Sequence, residues 1–507
     1  MRIEQSDKSK DLVNVLILLS LALCIGIYLI ATTAIISKDG ITYIKYAKKL
    51  NSGFVKTIKD DSQPPGYPSL ILAAHKVTDL IHKNTSILSW IYCAQTIALT
   101  FRLLAITVLY FIAKHLFDDR TSFWSILILI LLPLPARYGS DALSDWPHLL
   151  FFVSGLFLLF KAGVNKRWLI FGFTGLVAGA GYLVRPECAM LVIIGGLWLG
   201  LQLVWPQRVM SKGHVLSALV SLIIGFLAIA GPYMMLKGAI FPKKNVGRFS
   251  QSSKQLDADK HISLTAPETT LASQYTPLNF IKAFNKLFGN IGETLMWFFV
   301  PALFIGTYKK LKAQKWYEPE KFCIIALVML YTSLMTWLYC NYGYMSKRHT
   351  LPLLIIPILY IPAGLQELAI WLQEKFPGKV KTSVTTNRDQ RFWFMVLFLI
   401  GISICIVKLL GSYSTEKHGY RAAAEWLKAN TDNAAIVAVP DTRISFYAQR
   451  KGILYKNGEI PANAAYIVRI SKDLNKDKAL TKAFGKVKYE YVSKSKRQAN
   501  VIIYARM

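Results

Sequence analysis

Acidic side chains just beyond long apolar runs are the residues here best suited to chemistry, because a carboxylate at a membrane edge is costly unless solvated or paired. Asp39 follows one such run, Asp60 and Asp61 lie in the segment after it, Asp141 and Asp145 follow a Pro-containing run, and Glu187 opens another. Arg185 and Arg348 stand at comparable ends. A guanidinium there can grip a phosphate through two parallel hydrogen bonds, although its ordinary duty is to snorkel to the interface. Lys45, Lys48 and Lys49 put positive charge near Asp39, suited to an anionic lipid headgroup as well as to plain solvation. His148 stands three residues after Asp145 on one helix face, so the pair is a candidate metal or proton site, or a simple polar cap on the next run. Tyr43 and Tyr67 are either pocket-lining or the anchors that tyrosine commonly supplies at membrane interfaces.

The elements that must position these groups are membrane helices. The chain has 507 residues, 53% hydrophobic and 18% charged, with a mean hydropathy of +0.35, and a membrane is its default solvent. A formal charge of +31 would suggest nucleic acid in a soluble protein. Here most Lys and Arg sit in short gaps between apolar runs, where they set orientation and touch headgroups, so nucleic acid is excluded as a partner. Six cysteines (Cys24, Cys93, Cys188, Cys323, Cys340, Cys405) show no paired or metal-ligand spacing and read as small core residues.

A span needs roughly 20 apolar residues. The candidates are 12–36, 86–113, 121–136, 147–161, 168–184, 187–205, 215–236, 288–308, 322–341, 350–371 and 392–412, about eleven in all. The first is too long for a signal-peptide core and is expected to be retained. With the N-terminus inside, the inner loops carry Lys114, Arg120, Lys161, Lys166, Arg167, Lys309, Lys310 and Lys312 among others. The short outer loops hold Arg137, Arg185, Lys347 and Arg348, so an N-in, C-out arrangement follows. The lysines of the first outer segment, 37–85, argue against it, but that segment is long.

Within 37–85, two amphipathic stretches predict helices lying at the interface. One sets Ile41, Ile44, Ala47 and Phe54 against Lys45, Lys48 and Lys49; the other sets Tyr67, Leu70, Ile71, Ala74 and Val77 against Lys76 and Asp79. The outer segment 237–287 is polar and aperiodic, and a mobile loop is expected there. Residues 1–412 thus form an all-α polytopic bundle, and 413–507 read as one small outer α/β domain. Its expected helices are YRAAAEWLKANT, TRISFYAQ and KALTKAF, and its strands AAIVAVP, AAYIVRI and NVIIYAR.

The order of local patterns resembles the glycosyltransferase C superfamily, especially the bacterial branch with lipid A aminoarabinose transferase and the protein O-mannosyltransferases. KDGITYIKYAKKL followed by QPPGYPSLI matches that family's first outer loop through Asp39, Tyr43, Ala47 and Pro64 to Pro68. LLPLPARYGSDALSDWPHLLFF is similar to its second outer loop, with Asp145 as the acidic residue. GYLVRPECAM is similar to its Arg-Pro-Glu element, SKRHTLPLLIIPILYIPAGL to its Arg-containing start of a late helix, and AAEWLKANTDNAAIVAVPDTRISFYAQRKGILY to its outer C-terminal domain.

The resemblance implies a bacterial inner-membrane enzyme working at the periplasmic face on a polyprenyl phosphate sugar donor. The acceptor would be a hydroxyl on a lipid, glycan or protein, attacked with inversion. Asp39 would be the base, and Asp145 would position the acceptor, tune Asp39 or join His148 in holding a divalent metal ion. Arg185, Arg348, Lys45 and Gln63 would bind the donor, and Tyr43, Tyr67 and Glu187 would line the sugar or acceptor pocket. Two departures stand out: Gly40 replaces the Glu that several relatives carry after the first-loop Asp, and Gln63 replaces a basic residue before the proline pair. A flippase of lipid-linked glycans is the rival from another class, and it calls for charged groups in mid-span and symmetric halves. Arg102 is the exception among otherwise nearly uncharged spans. A glycan polymerase or ligase is a nearer rival.

Overall fold

The computed structural model describes residues 2–81, 86–165, 167–204, 210–239, 277–314, 318–376, 383–411, 417–455, 461–471, 485–493 and 500–506. The helices begin with α1 (Arg2–Thr32), α2 (Lys38–Ser52), α3 (Phe54–Asp60), α4 (Gly66–Ile81) and α5 (Ile87–Leu116). There follow α6 (Asp119–Leu131), α7 (Pro133–Tyr138), α8 (Asp145–Asn165), α9 (Trp168–Val184), α10 (Met190–Val204) and α11 (Lys212–Lys237). Beyond them come Pro277–Thr294, Val300–Ala313, Pro319–Tyr342, the short turns around Lys347–Tyr360, Ile361–Lys375 and Ser383–Leu410.

Local chemistry sets several helix starts. Ser37 caps α2 by accepting from the Gly40 amide at 3.2 Å, and Asp118 caps α6 by accepting from the Thr121 amide. Pro133 and Pro135 break the run between α6 and α7, since proline supplies no amide hydrogen. Buried Arg102 donates to the Ile130 carbonyl left at that break and lies over the Trp146 ring at 5.8 Å. This mid-helix cation therefore has a structural partner in the core. Where α9 crosses α11, an added side chain at Gly175 or Gly179 would run into the backbone of Leu222 or Phe226, so glycine lets the two backbones approach.

The chain is a helical membrane bundle. Among the described residues seven helices are long and apolar enough to cross a membrane: Ser9–Thr32, Ile87–Leu116, Asp145–Val164, Pro186–Val204, Lys212–Lys237, Pro319–Tyr342 and Asp389–Leu410. The pair Lys347–Leu354 and Pro357–Lys375, bent by 56°, makes eight if counted as one broken span. That falls short of the eleven expected. Helix α6 has 13 residues, a rise of about 20 Å against a core of about 30 Å. Helix α9 has 17 residues, and 288–308 is interrupted, with Met296 and Trp297 at positive φ.

Helices α2 and α4 lie in the first loop. The buried face of α2 is Gly40, Ile41, Tyr43, Ile44, Tyr46, Ala47 and Leu50, which includes the expected Ile41, Ile44 and Ala47, whereas Phe54 is exposed. On α4 the buried face is Tyr67, Pro68, Ile71, Leu72 and His75. Val77 stands outside it and is exposed, while His75, stacked on Trp90 at 3.7 Å, is buried. Of the cysteines, Cys93, Cys188, Cys323 and Cys405 are buried, while Cys24 is exposed and Cys340 half-buried.

The tail carries a five-stranded sheet in the order β2-β1-β3-β5-β4. The strands are β1 (Ile436–Val439), β2 (Lys451–Leu454), β3 (Tyr466–Ser471), β4 (Lys486–Tyr491) and β5 (Asn500–Ala505). The pairs β1–β2 and β1–β3 are parallel, and β5 runs antiparallel to both β3 and β4. Helices His418–Asn430 and Thr442–Ala448 match two of the expected helices, while KALTKAF, most of the 237–287 segment and the boundary near 412 lie outside the described residues. Edge strands β2 and β4 were not expected: β2 is the short KGIL, and β4 interleaves Lys486 and Lys488 with its apolar residues.

Candidate active site

Four polar groups that the sequence places far apart meet at one rim of the bundle. Asp39 sits in the first turn of α2, Asp145 opens α8, Arg185 caps the end of α9, and Arg348 lies in the short turn before Leu351. The Arg348 guanidinium holds Asp39 through Nη2 at 2.7 Å and faces Asp145 through Nε at 3.7 Å. Arg185 Nη1 donates to Asp145 Oδ1 at 3.1 Å. Asp145 is only 2% exposed, so its charge is compensated by these two cations rather than by water. Asp39 is 53% exposed and faces out of the cluster.

The tyrosines line the same place. The Tyr43 hydroxyl and Ser144 Oγ are 2.9 Å apart, and the Tyr43 ring meets Tyr67 edge-on at 5.1 Å. Tyr67 donates to the Ala94 carbonyl, which fixes α4 on α5. Burial raises both phenols above their ordinary values, so each is a neutral hydroxyl at physiological pH. Burial would lower the Arg185 guanidinium, and Asp145 and Glu187 more than reverse this, so it is held above its usual value. Glu187, half-buried, thus belongs to the electrostatic surroundings of Arg185.

Two expected donor-binding residues stand apart. Lys45 is on the exposed side of α2, and Gln63 is fixed through its backbone amide to Asp61. Neither shares a hydrogen bond or ion pair with the cluster among the described residues. Among the described residues no group of three His, Cys, Asp or Glu side chains is placed to hold a divalent metal ion. Both oxygens of Asp145 face guanidinium groups, and His148 is fully buried, stacked on Phe152 at 5.7 Å. The cations beside Asp145 are Arg185 and Arg348, and among the described residues no third ligand joins Asp145 and His148.

Sequence reasoning named Asp141 among the acids at the ends of apolar runs without assigning it a partner, and it did not single out Ser144 or Tyr447. Asp141 accepts the Ser37 amide at 3.2 Å and the Ala142 amide at 2.7 Å. Its partners are backbone groups, which leave no residue-type signature. Gly40 packs so closely on Ala142 that an added Cβ would lie 2.8 Å from the Ala142 carbonyl oxygen, which explains why a glycine stands there.

Residues 63–230 match the family model described as dolichyl-phosphate-mannose-protein mannosyltransferase. A sequence search of curated proteins finds no significant match. Among solved structures, ArnT from Cupriavidus metallidurans bound to undecaprenyl phosphate superposes with a TM-score of 0.54 at 13% identity, covering 96% of this chain and 97% of that one. The archaeal oligosaccharyltransferase AglB from Archaeoglobus fulgidus, in complex with an inhibitory peptide and a dolichol-phosphate, gives 0.54 at 13% identity, covering 91% of this chain and 69% of the other. At such identities the likeness is one of fold.

Proposed function

We propose, from the premise that this chain is a member of the glycosyltransferase C superfamily, that it moves a sugar from a polyprenyl phosphate donor to an acceptor hydroxyl on a lipid, glycan or protein. The observation that carries the reading is Arg348, which bridges an exposed carboxylate, Asp39, and a buried one, Asp145, beside a second cation, Arg185. A phosphate is a better bidentate partner for Arg348 than a solvated carboxylate. Its arrival draws Arg348 from Asp39 and leaves a free base beside the sugar. Asp39 then takes the acceptor hydroxyl proton while the acceptor oxygen bonds to the anomeric carbon. The bond from that carbon to the phosphate oxygen breaks, the phosphate keeps the electron pair, and Arg185 and Arg348 hold its charge. Attack opposite the leaving group inverts the anomeric centre. Asp145 keeps both guanidinium groups aimed, Tyr43 and Glu187 flank the sugar with Tyr67 packed behind Tyr43, and Lys45 attracts the anionic carrier at longer range.

Contacts at both ends of the bundle support the reading of eleven crossings, N-in and C-out. Asp11 pairs with Lys114, which sets the end of α5 beside the start of α1. Asp145 shares Arg348 with Asp39 at the opposite end, so α6 and α7 must carry the chain back across despite their shortness. Arg185 returns to Asp145, which asks the same of α9. Lys237 donates to the Lys59 carbonyl in the first loop, while His115 pairs with Glu320, so residues 277–313 must cross too. On this reading the cluster faces the periplasm of a bacterial inner membrane.

The test is transfer by purified protein in detergent from a panel of polyprenyl phosphate sugars. Asp39→Asn is expected to lower turnover by at least about 100-fold, the scale of a general base, while still binding undecaprenyl phosphate. Unchanged turnover in that variant rules out the assignment.

A further inference from the structure

The backbone just before Asp39 is held from two sides, by groups with no place in the reaction itself. On one side Asp141 accepts the Ser37 amide with both carboxylate oxygens at 3.2 Å and takes the Ala142 amide at 2.7 Å. On the other the Ile36 amide donates to the Tyr447 hydroxyl at 3.1 Å, across 411 positions of sequence. Tyr447 belongs to the tail helix Thr442–Ala448 and is itself pinned, with the Arg421 guanidinium over its ring at 4.6 Å. The same helix is tied to α2 by Lys38, which lies 3.5 Å from Asp441, and Asp441 is fixed by two bonds from Arg443. Buried backbone amides need such partners, and loss of either leaves a donor unsatisfied.

We infer that Asp141 and Tyr447 are positioning residues, a clamp on the Ile36 and Ser37 amides that sets where Asp39 stands relative to Asp145 and Arg348. The inference rests on the reading of Asp39 as the base and extends it to the tail, which thereby contributes a residue that completes the site. The geometry is direct, because Asp141 lies four residues before Asp145. One turn thus holds the base through the backbone and the buried carboxylate through its own chain. Neither clamp residue touches substrate on this reading, so removing one should displace the base without removing the phosphate grip. A displacement of about 1 Å costs up to roughly 100-fold in rate.

The experiment uses the full-length protein in detergent with Tyr447→Phe, Asp141→Asn and Asp141→Ala. Tyr447→Phe keeps the ring and removes one oxygen. Hydrogen exchange across residues 35–44 is expected to quicken at least tenfold in Tyr447→Phe and Asp141→Ala, with α9 and α11 unchanged. Turnover should fall tenfold or more in both, with undecaprenyl phosphate binding within twofold of the parent, and Asp141→Asn, which keeps one acceptor oxygen, should recover part of the loss. Exchange at 35–44 that stays at the parent rate in both Tyr447→Phe and Asp141→Ala overturns the clamp. Quickened exchange with full turnover overturns its positioning role. If the parent transfers no sugar from any donor, the catalytic reading fails and the positioning role falls with it, while the exchange rates still decide whether the clamp exists.

Discussion

At the scale of single residues, Asp145 is the carboxylate on which two guanidinium groups depend. Removing it leaves Arg185 and Arg348 facing each other in a buried place, so Asp145→Ala is expected to cost about 3–5 kcal/mol of stability, the usual penalty for breaking a buried pair. Thermal unfolding in detergent measures it, and a midpoint within a degree or two of the parent would contradict the buried pairing. Asp141 makes a pH prediction of opposite kind. Burial raises its carboxyl above the usual range, against the two amides that it accepts. A raised acid favours the folded state below its ordinary unfolded value, and that favour is lost as pH rises through the folded value. Asp141→Asn lacks this loss, so its midpoint relative to the parent should improve as pH climbs through the carboxylate range. A pH-independent difference would show that Asp141 is ionised as readily in the fold as outside it. The gathering of Asp39, Asp145, Arg185 and Arg348 was legible because charges at the ends of apolar runs must find partners. Tyr447 was not, since a hydroxyl that serves one distant backbone amide looks like any other tyrosine.

At the scale of elements, α2 is placed by what it lacks. Gly40 sits against Ala142 with no room for a side chain, so Gly40→Glu should lift α2 off the Asp141 turn. The expected outcome is a loss of turnover at least as large as that of Asp141→Ala, with a destabilisation of about 1–3 kcal/mol from overpacking. Normal turnover in that variant would mean that α2 can shift without moving the base. The pattern of α2 was readable from its lysines, which mark the wet side. On α4 the expected Tyr67 and Ile71 are buried and Val77 is not, and the polar His75, which stacks on Trp90, is buried where an apolar pattern gave no sign of it. In the tail, β1, β3 and β5 were visible as apolar runs, since they are the central strands. Strands β2 and β4 were hidden because they are edge strands, one of four residues with a glycine and the other interleaved with lysines.

For the molecule as a whole, sidedness is the decisive quantity. Single-cysteine variants at Lys38 and Lys312, in a background without the native cysteines, give a direct measurement with a membrane-impermeant maleimide. Position 38 should label in intact cells and 312 after permeabilisation alone. The reverse pattern would turn the bundle over and move the rim to the other leaflet. Hydropathy located the bundle, and its count of eleven exceeds the seven or eight described helices that are long enough to cross, because α6, α9 and the broken stretch around Trp297 are short for a bilayer. Apolar composition does not record where a helix stops.

The bond from Ile36 to Tyr447 also bears on how the protein is made. A ribosome threads the chain from N-terminal to C-terminal residues, so the segment carrying Asp39 emerges long before Tyr447 exists. On the proposed reading, nascent chains ending short of residue 442 would insert their helices yet hold a slack rim, because Tyr447 has not yet been made.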